Sequence, residues 1–244
     1  FSPKWIFIGG LLVNGLVIFM FPSLDDEQKD KLIRLPKNGD DLRAMNEVLQ
    51  FYMQDHQVLV ITAYILNFIN FQAFAFPGTA FFAILSGPLF GGIVGFMLCH
   101  SCAVAGACTC YAISKNLGSG FVQSRMPQKV AWLQRKIDEN RHNLLYYFMF
   151  LRLTPLVPNW FLNASSAVVG VPFGIFAGAT FFGLMPYSII LVRMGLMIDS
   201  ISSIGFDASN VLTMFGLGFI ALIPTYLTKK EDMSGLEESS ATAA

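Results

Sequence analysis

The sequence predicts an all-α polytopic membrane protein. Its expected layout is an inverted repeat of two re-entrant helical hairpins, each followed by a transmembrane helix, with further spans at the N- and C-terminal ends. Three observations lead there. Apolar residues make up 54% of the 244 residues and charged residues only 13%, against roughly 25% charged in an ordinary soluble domain. The 32 charges are segregated: no Asp, Glu, Lys or Arg stands between Asp55 and Lys115, or between Arg152 and Arg193. Both uncharged tracts are interrupted by Pro and Gly. The 16 basic and 16 acidic residues cancel, so no overall field favours nucleic acid.

Residues 1–22 hold an apolar run, Trp5 to Phe21, broken only by Asn14. It reads as a short span and not a signal peptide, because no small-residue cleavage site follows Phe21-Pro22-Ser23. Residues 23–57 form a lumenal amphipathic segment. Between Asp25 and Asp55 it carries eight acids and five bases, with a turn at Pro36-Lys37-Asn38-Gly39-Asp40. Leu42, Met45, Val48, Leu49 and Tyr52 then recur with helical period.

The membrane domain is expected over 58–228. The apolar block Val58 to Ser114 is 57 residues long, too long for two simple spans of about 20 residues. Pro77-Gly78 and Pro88 with Gly91-Gly92 interrupt it, and backbone freed in hydrocarbon must be satisfied by protein or by water in a cavity. Residues 58–90 are therefore expected to re-enter, and 92–114 to cross. The 115–143 loop carries six bases and two acids. Within it Val130, Leu133, Ile137 and Leu144 mark one helical face, and Trp132 suits a headgroup anchor, so the segment reads as an interfacial amphipathic helix. Pro155, Pro158, Pro172 and Pro186 break the next apolar block, giving a second re-entrant segment over 144–168 and a span over 172–198. A last span at 210–228 ends at Lys229-Lys230, and 229–244 is expected to be a disordered cytoplasmic tail.

Charge parity supports the hairpins. If 58–90 and 144–168 each return to their own side, the basic loop and the terminal lysines all fall on the cytoplasmic side. If the first run were a full crossing, the basic loop would lie outside. The halves also echo one another. Pro77-Gly78, Ser86 and Gly91-Gly92 parallel Pro158-Asn159, Ser165-Ser166 and Gly170, the pattern of inverted repeats in transporters.

Catalytic chemistry is poorly provided for. Cys99, Cys102, Cys108 and Cys110 share one expected span without a surrounding His–Asp constellation, so they read as packing residues, not metal ligands. The three histidines are scattered and no acid lies in the membrane core to form an acid–base pair. No enzyme activity, catalytic residue, cofactor or metal is expected. The strongest local signal is the run from Arg152 through Thr154, Pro155, Pro158, Asn159, Trp160 and Asn163 to Ser165 and Ser166. Its prolines cannot sit in an unbroken helix. A guanidinium at mid-membrane costs about 2.5–3.5 kcal/mol even on permissive scales, so Arg152 is expected to face a wet cavity, a phosphate or a carbonyl cluster. Its fork suits phosphate. Asn67, Asn70 and Gln72 offer further polar lining on the first hairpin.

These residues carry a resemblance. Phe76-Pro77-Gly78-Thr79, Leu85-Ser86-Gly87 and Leu89-Phe90-Gly91 are followed by Leu133-Gln134-Arg135-Lys136 and Glu139-Asn140-Arg141. Phe150-Leu151-Arg152-Leu153-Thr154-Pro155 then leads to Pro158-Asn159-Trp160-Phe161. Together they resemble the transmembrane protein 41 family, its form A in particular, within the DedA superfamily whose shared region is called the VTT domain. The resemblance implies a multi-pass protein of the endoplasmic reticulum membrane with its C-terminus cytoplasmic. It implies an energy-independent phospholipid scramblase acting on glycerophospholipids and linked to autophagy. The alternatives are an ion-coupled transporter or flippase of an anionic lipid carrier, and a non-transporting scaffold. Bacterial relatives typically carry an acid just after the first Pro-Gly and a second Arg six residues after the first. Here those positions hold Thr79 and Pro158. The expected lipid path comprises Arg152, Asn159, Asn163, Ser165, Ser166, Thr79 and Ser86, with hairpin breaks at Pro77, Gly78, Pro155 and Pro158. Membrane phospholipids are the expected partners, with homo-oligomers or other endoplasmic-reticulum lipid-transfer proteins also to be considered.

Overall fold

The computed structural model describes residues 39–76, 78–154 and 157–197, with Gly15 and Gln28 as isolated positions. The expected N-terminal span, the span at 210–228, the tail, and the break residues Pro77 and Pro155 lie outside the described residues. Every described element is helical. α1 is Gly39–Asp55, α2 Gln57–Ala73, α3 Thr79–Phe90 and α4 Gly92–Ile113. A π-helical turn, Ser114–Gly118, leads to α5, Ser119–Arg125, and α6, Pro127–Glu139. A 3-10 turn, Arg141–Asn143, leads to α7, Leu144–Leu153, then α8, Asn159–Ser165, and α9, Phe173–Leu196.

Helix length sorts these elements. Two helical stretches, Gly92–Asn116 and Phe173–Leu196, are long and apolar enough to cross a membrane. α2 and α3 are apolar but have 17 and 12 residues. At a rise of 1.5 Å per residue they reach only about 25 and 18 Å, short of a hydrocarbon core of about 30 Å. α7 and α8 are shorter still, at 10 and 7 residues. The order is the same in both halves: a short helix, a break, a short helix, then a long one. A glycine with positive φ precedes each long helix, Gly91 at 79° and Gly170 at 74°. No L-residue with a side chain takes that conformation cheaply.

α1 buries Leu42, Val48 and Tyr52, three of the residues its helical period selects. From its polar side Gln50 Nε2 donates to the Pro88 carbonyl at 2.6 Å, which ties α1 to the end of α3. Pro88 lies inside α3 and has no N–H for the carbonyl of Ile84. That carbonyl lies against α9 at Gly195, where an added Cβ would collide with it, and Gly87 of α3 meets the Val192 carbonyl in the same way. Elsewhere α4 approaches α2 at Gly106 and α3 at Gly95. Small residues thus set the helix spacing, as expected where lipid removes the hydrophobic drive between helices.

α6 departs from its sequence expectation. Its apolar face, Val130, Leu133 and Ile137, belongs to a buried cluster with Leu144, Phe148, Phe161 and Phe176. The stripe is consumed by protein packing and is not offered to a bilayer. On its outer side Lys136 Nζ pairs with Glu139 at 2.7 Å and Arg141 Nη2 with Asp138 at 2.8 Å. Gln134 and Arg141 hold the Asp138 carboxyl below its ordinary range, and the bond to Glu139 raises the Lys136 ammonium.

Close backbone approach gives the first prediction. Gly195→Ala should destabilise the protein by about 1–3 kcal/mol, because the methyl must displace the Ile84 carbonyl. Gly174→Ala in the same helix meets nothing within 4 Å and should be neutral or slightly stabilising. Thermal unfolding of both variants in detergent checks the pair.

Candidate functional site

The two breaks meet at a cavity. At the first, α2 ends with the Phe74 N–H bonded to Asn70 O, and the Phe76 N–H reaches Phe71 O at 2.9 Å. Ala75, at φ 55°, and Gly78, at φ 117°, turn the chain into α3. Thr79 opens α3, so the turn delivers Gln72, Gly78 and Thr79 to one place. At the second break Thr154 is extended, and its Oγ1 reaches Phe150 O at 3.1 Å. Pro158, with its φ fixed by the ring, leads into α8 at Asn159.

Between them lies a cavity of about 540 Å³. Gln72, Thr79, Asn159, Asn163, Tyr187 and Ser188 supply its polar lining, and Phe68, Phe76 and Trp160 its aromatic lining. Cys99 and Ala103 of α4 and Leu184 of α9 complete the walls. Among the described residues, no Asp, Glu, Lys, Arg or His lines the cavity.

Arg152 sits behind this lining. It is 4% exposed, and its Nη1 donates to Asn163 Oδ1 at 2.7 Å, joining α7 to α8 across the break. The guanidinium lies over the rings of Phe176 at 4.8 Å and Phe148 at 5.4 Å, within cation–π range. Its Nε and Nη2 have no hydrogen-bond partner among the described residues, and neither has Asn159 Oδ1. Room for the arginine comes from Gly183 of α9, where an added Cβ would stand 2.7 Å from Arg152 Cβ. A hydrogen bond to a charged group contributes about 1.5–3 kcal/mol, more than its neutral counterpart.

The structure divides the sequence-derived residues into two groups. Thr79, Asn159 and Asn163 line the cavity, with Arg152 one hydrogen bond away. Ser86, Ser165 and Ser166 are fully buried and turn back on their own helices, to the carbonyls of Ala83, Phe161 and Leu162. Asn67 likewise bonds Ala63 O at 2.8 Å, while Gln72 lines the cavity. Ser188 and Tyr187 are lining residues that sequence reasoning missed. Ser188 Oγ also lies 3.2 Å from His100 Nδ1, tying α9 to α4. Two adjacent polar side chains just after Pro186, in a largely apolar α9, were the available signal. The four cysteines are free thiols, and among the described residues no three His, Cys, Asp or Glu side chains converge as a metal site would require.

Asn163→Ala should remove the partner of Arg152 Nη1 and cost about 1.5–3 kcal/mol. Ser165→Ala removes only a bond to its own helix and should cost under about 1 kcal/mol. Unfolding midpoints of the two variants, measured side by side, test whether the arginine pair holds the second break.

Comparison with known proteins agrees with this architecture. Residues 76–197 match the VTT domain family model, from the first break to the end of α9. The chain is 40% identical over 212 residues to the Transmembrane protein 41 homolog of Dictyostelium discoideum, covering 86% of this chain and 63% of that protein. It thus spans less than two thirds of that relative's length. The Transmembrane protein 41 homolog of Caenorhabditis elegans is 35% identical over 212 residues, 86% of each chain. Human Transmembrane protein 41B is 32% identical over 227 residues, 92% of this chain and 78% of its own. No solved structure matches. With two helices of membrane-crossing length inside the matched region, the chain belongs to the transmembrane protein 41 family of VTT-domain membrane proteins.

Proposed function

We propose that this protein is an energy-independent scramblase that moves glycerophospholipids between the leaflets of the endoplasmic reticulum membrane. One observation carries the reading: polar side chains from both helix breaks line one cavity, and among the described residues no charged side chain joins them there. In this scheme 58–90 and 144–168 are re-entrant hairpins of an inverted repeat, and their breaks lie near mid-membrane. A headgroup passes between them while its acyl chains stay in lipid. Asn159, Asn163, Thr79 and Gln72 exchange hydrogen bonds with it, and Arg152 draws the phosphate from behind Asn163. The basic 115–143 loop and the C-terminus lie on the cytoplasmic side, as charge parity requires.

Neutral lining suits passive exchange. Every 1.4 kcal/mol of binding at the midpoint slows escape about tenfold, so a charged wall would trap the headgroup. Ion coupling has little to work with, because no Asp or Glu stands in residues 56–114 or 153–192. A scaffold role would place the function in the 115–143 loop and leave Arg152→Ala without phenotype.

Purified protein in liposomes carrying a fluorescent phospholipid should let dithionite bleach the inner-leaflet pool without any ion gradient. Asn159→Leu and Arg152→Ala should each slow that phase several-fold. Bleaching no greater than in empty vesicles overturns the proposal, and bleaching that needs an ion gradient replaces it with coupled transport.

A further inference from the structure

Among the described residues, the outer face of α6 has no occupant. Its inner stripe is buried, and Lys136 is paired within the helix, to Glu139. What remains outward is Trp132, 43% exposed, with Lys129 three residues before it and Arg135 three residues after. On a helix these three are neighbours on one face. Lys129 and Arg135 are both exposed and form no ion pair among the described residues. An amphipathic ring between two unpaired cations combines an apolar body with charge on either side, the pairing that a headgroup layer accommodates.

The chain on either side fixes where this face can be. α4, a helix of membrane-crossing length, ends at Ile113, and the described chain re-enters apolar helix at Leu144 after one 3-10 turn. The first turn of α7 exposes Tyr146 at 72% beside Leu145, the aromatic placement typical of a membrane–water boundary. α6 is therefore held within a few residues of headgroup depth at its C-terminal end.

We propose that Lys129, Trp132 and Arg135 form a docking face for anionic phospholipid headgroups of the membrane that holds the protein. The tryptophan enters the headgroup layer, and the two cations hold phosphate or carboxylate groups beside it. Charge complementarity selects the lipid: the face carries two positive charges and the ion-paired acids Asp138 and Glu139 lie beyond it along the helix. Attachment runs through the charged side of the helix, since the apolar side is occupied by the core. The proposal is independent of the lipid path and does not require transport.

The test uses the full chain labelled with 5-fluorotryptophan in phosphatidylcholine nanodiscs containing phosphatidylserine. The Trp132 fluorine resonance is assigned by its loss in Trp132→Phe. Acyl-spin-labelled phosphatidylserine and acyl-spin-labelled phosphatidylcholine are then added in turn at equal loading. Cations at the headgroup layer attract anionic lipid, so at equal loading the serine lipid should broaden the Trp132 signal more than the choline lipid. That difference should shrink at high salt in the wild-type protein and disappear in the Lys129→Gln, Arg135→Gln double variant. Equal broadening by both lipids means contact without charge selection and overturns the proposal. A Trp132 signal untouched by either lipid means that the face points to water, open to an acidic protein segment, and overturns it too. The salt series needs no substitution, so a double variant that fails to fold leaves the result decisive.

Discussion

A backbone group that loses its helical partner among apolar side chains must find another within the protein, and both helix breaks are built around that constraint. At the first, a Schellman turn with Ala75 in a left-handed conformation ends the helix. Phe76 reaches back five residues for its carbonyl, and Gly78 takes a left-handed conformation that frees the following helix to start at Thr79. At the second, side chains do more of the work. Thr154 caps carbonyls of the last turn of α7, and Pro158, which has no N–H to satisfy, accepts the Phe161 N–H through its carbonyl at 2.9 Å. Once the backbone is satisfied internally, a break can stand at membrane depth beside another break. The cavity is a consequence of that meeting.

Arg152 depends on the same arrangement. A cation this deeply buried persists only with compensation from fixed neighbours. Asn163 supplies an acceptor from across the break, and Phe148 and Phe176 offer ring faces. None of the three is adjacent in sequence, and α7 can bring Arg152 so close to α9 only because residue 183 has no side chain. The arginine therefore reports on the packing of α7, α8 and α9 together. Loosening any of them leaves a guanidinium among apolar groups with less to hold it.

Much of this was legible in the sequence because Pro, Gly and charge act locally. Two prolines three residues apart cannot continue a helix, and a positive-φ turn calls for glycine. The breaks and the long helices followed from these rules. A lone arginine in an uncharged tract is expected to face a wet cavity, a phosphate or a carbonyl cluster, but a side-chain amide and two ring faces meet it instead. Other features are decided by tertiary packing. A helical stripe such as Val130, Leu133 and Ile137 fits a lipid surface and a protein core equally well, and only the neighbouring Phe148 cluster settles which it meets. Hydroxyls are ambiguous in a similar way. A serine in a helix can face a ligand or return to a carbonyl of its own preceding turn, and Ser86, Ser165 and Ser166 take the second course. Ser188, with the same chemistry, lies at the cavity and within 3.2 Å of His100 Nδ1 on α4.

The position of the charge relative to the cavity then acquires a physical meaning. An amide has two ends, and Asn163 gives its oxygen to Arg152, so its Nδ2 hydrogens are the donors left for anything on the other side. The guanidinium polarises that amide and strengthens it as a donor without entering the cavity itself. Under the proposed transfer, a phosphate arriving at Asn163 would meet a reinforced neutral donor and not a bare cation. The distinction matters kinetically, because a desolvated phosphate–guanidinium pair is costly to separate, while an amide can be exchanged for the next amide along the wall. In that transfer, one positive charge a single hydrogen bond behind a neutral lining would attract an anion to the break while keeping the well shallow enough to leave.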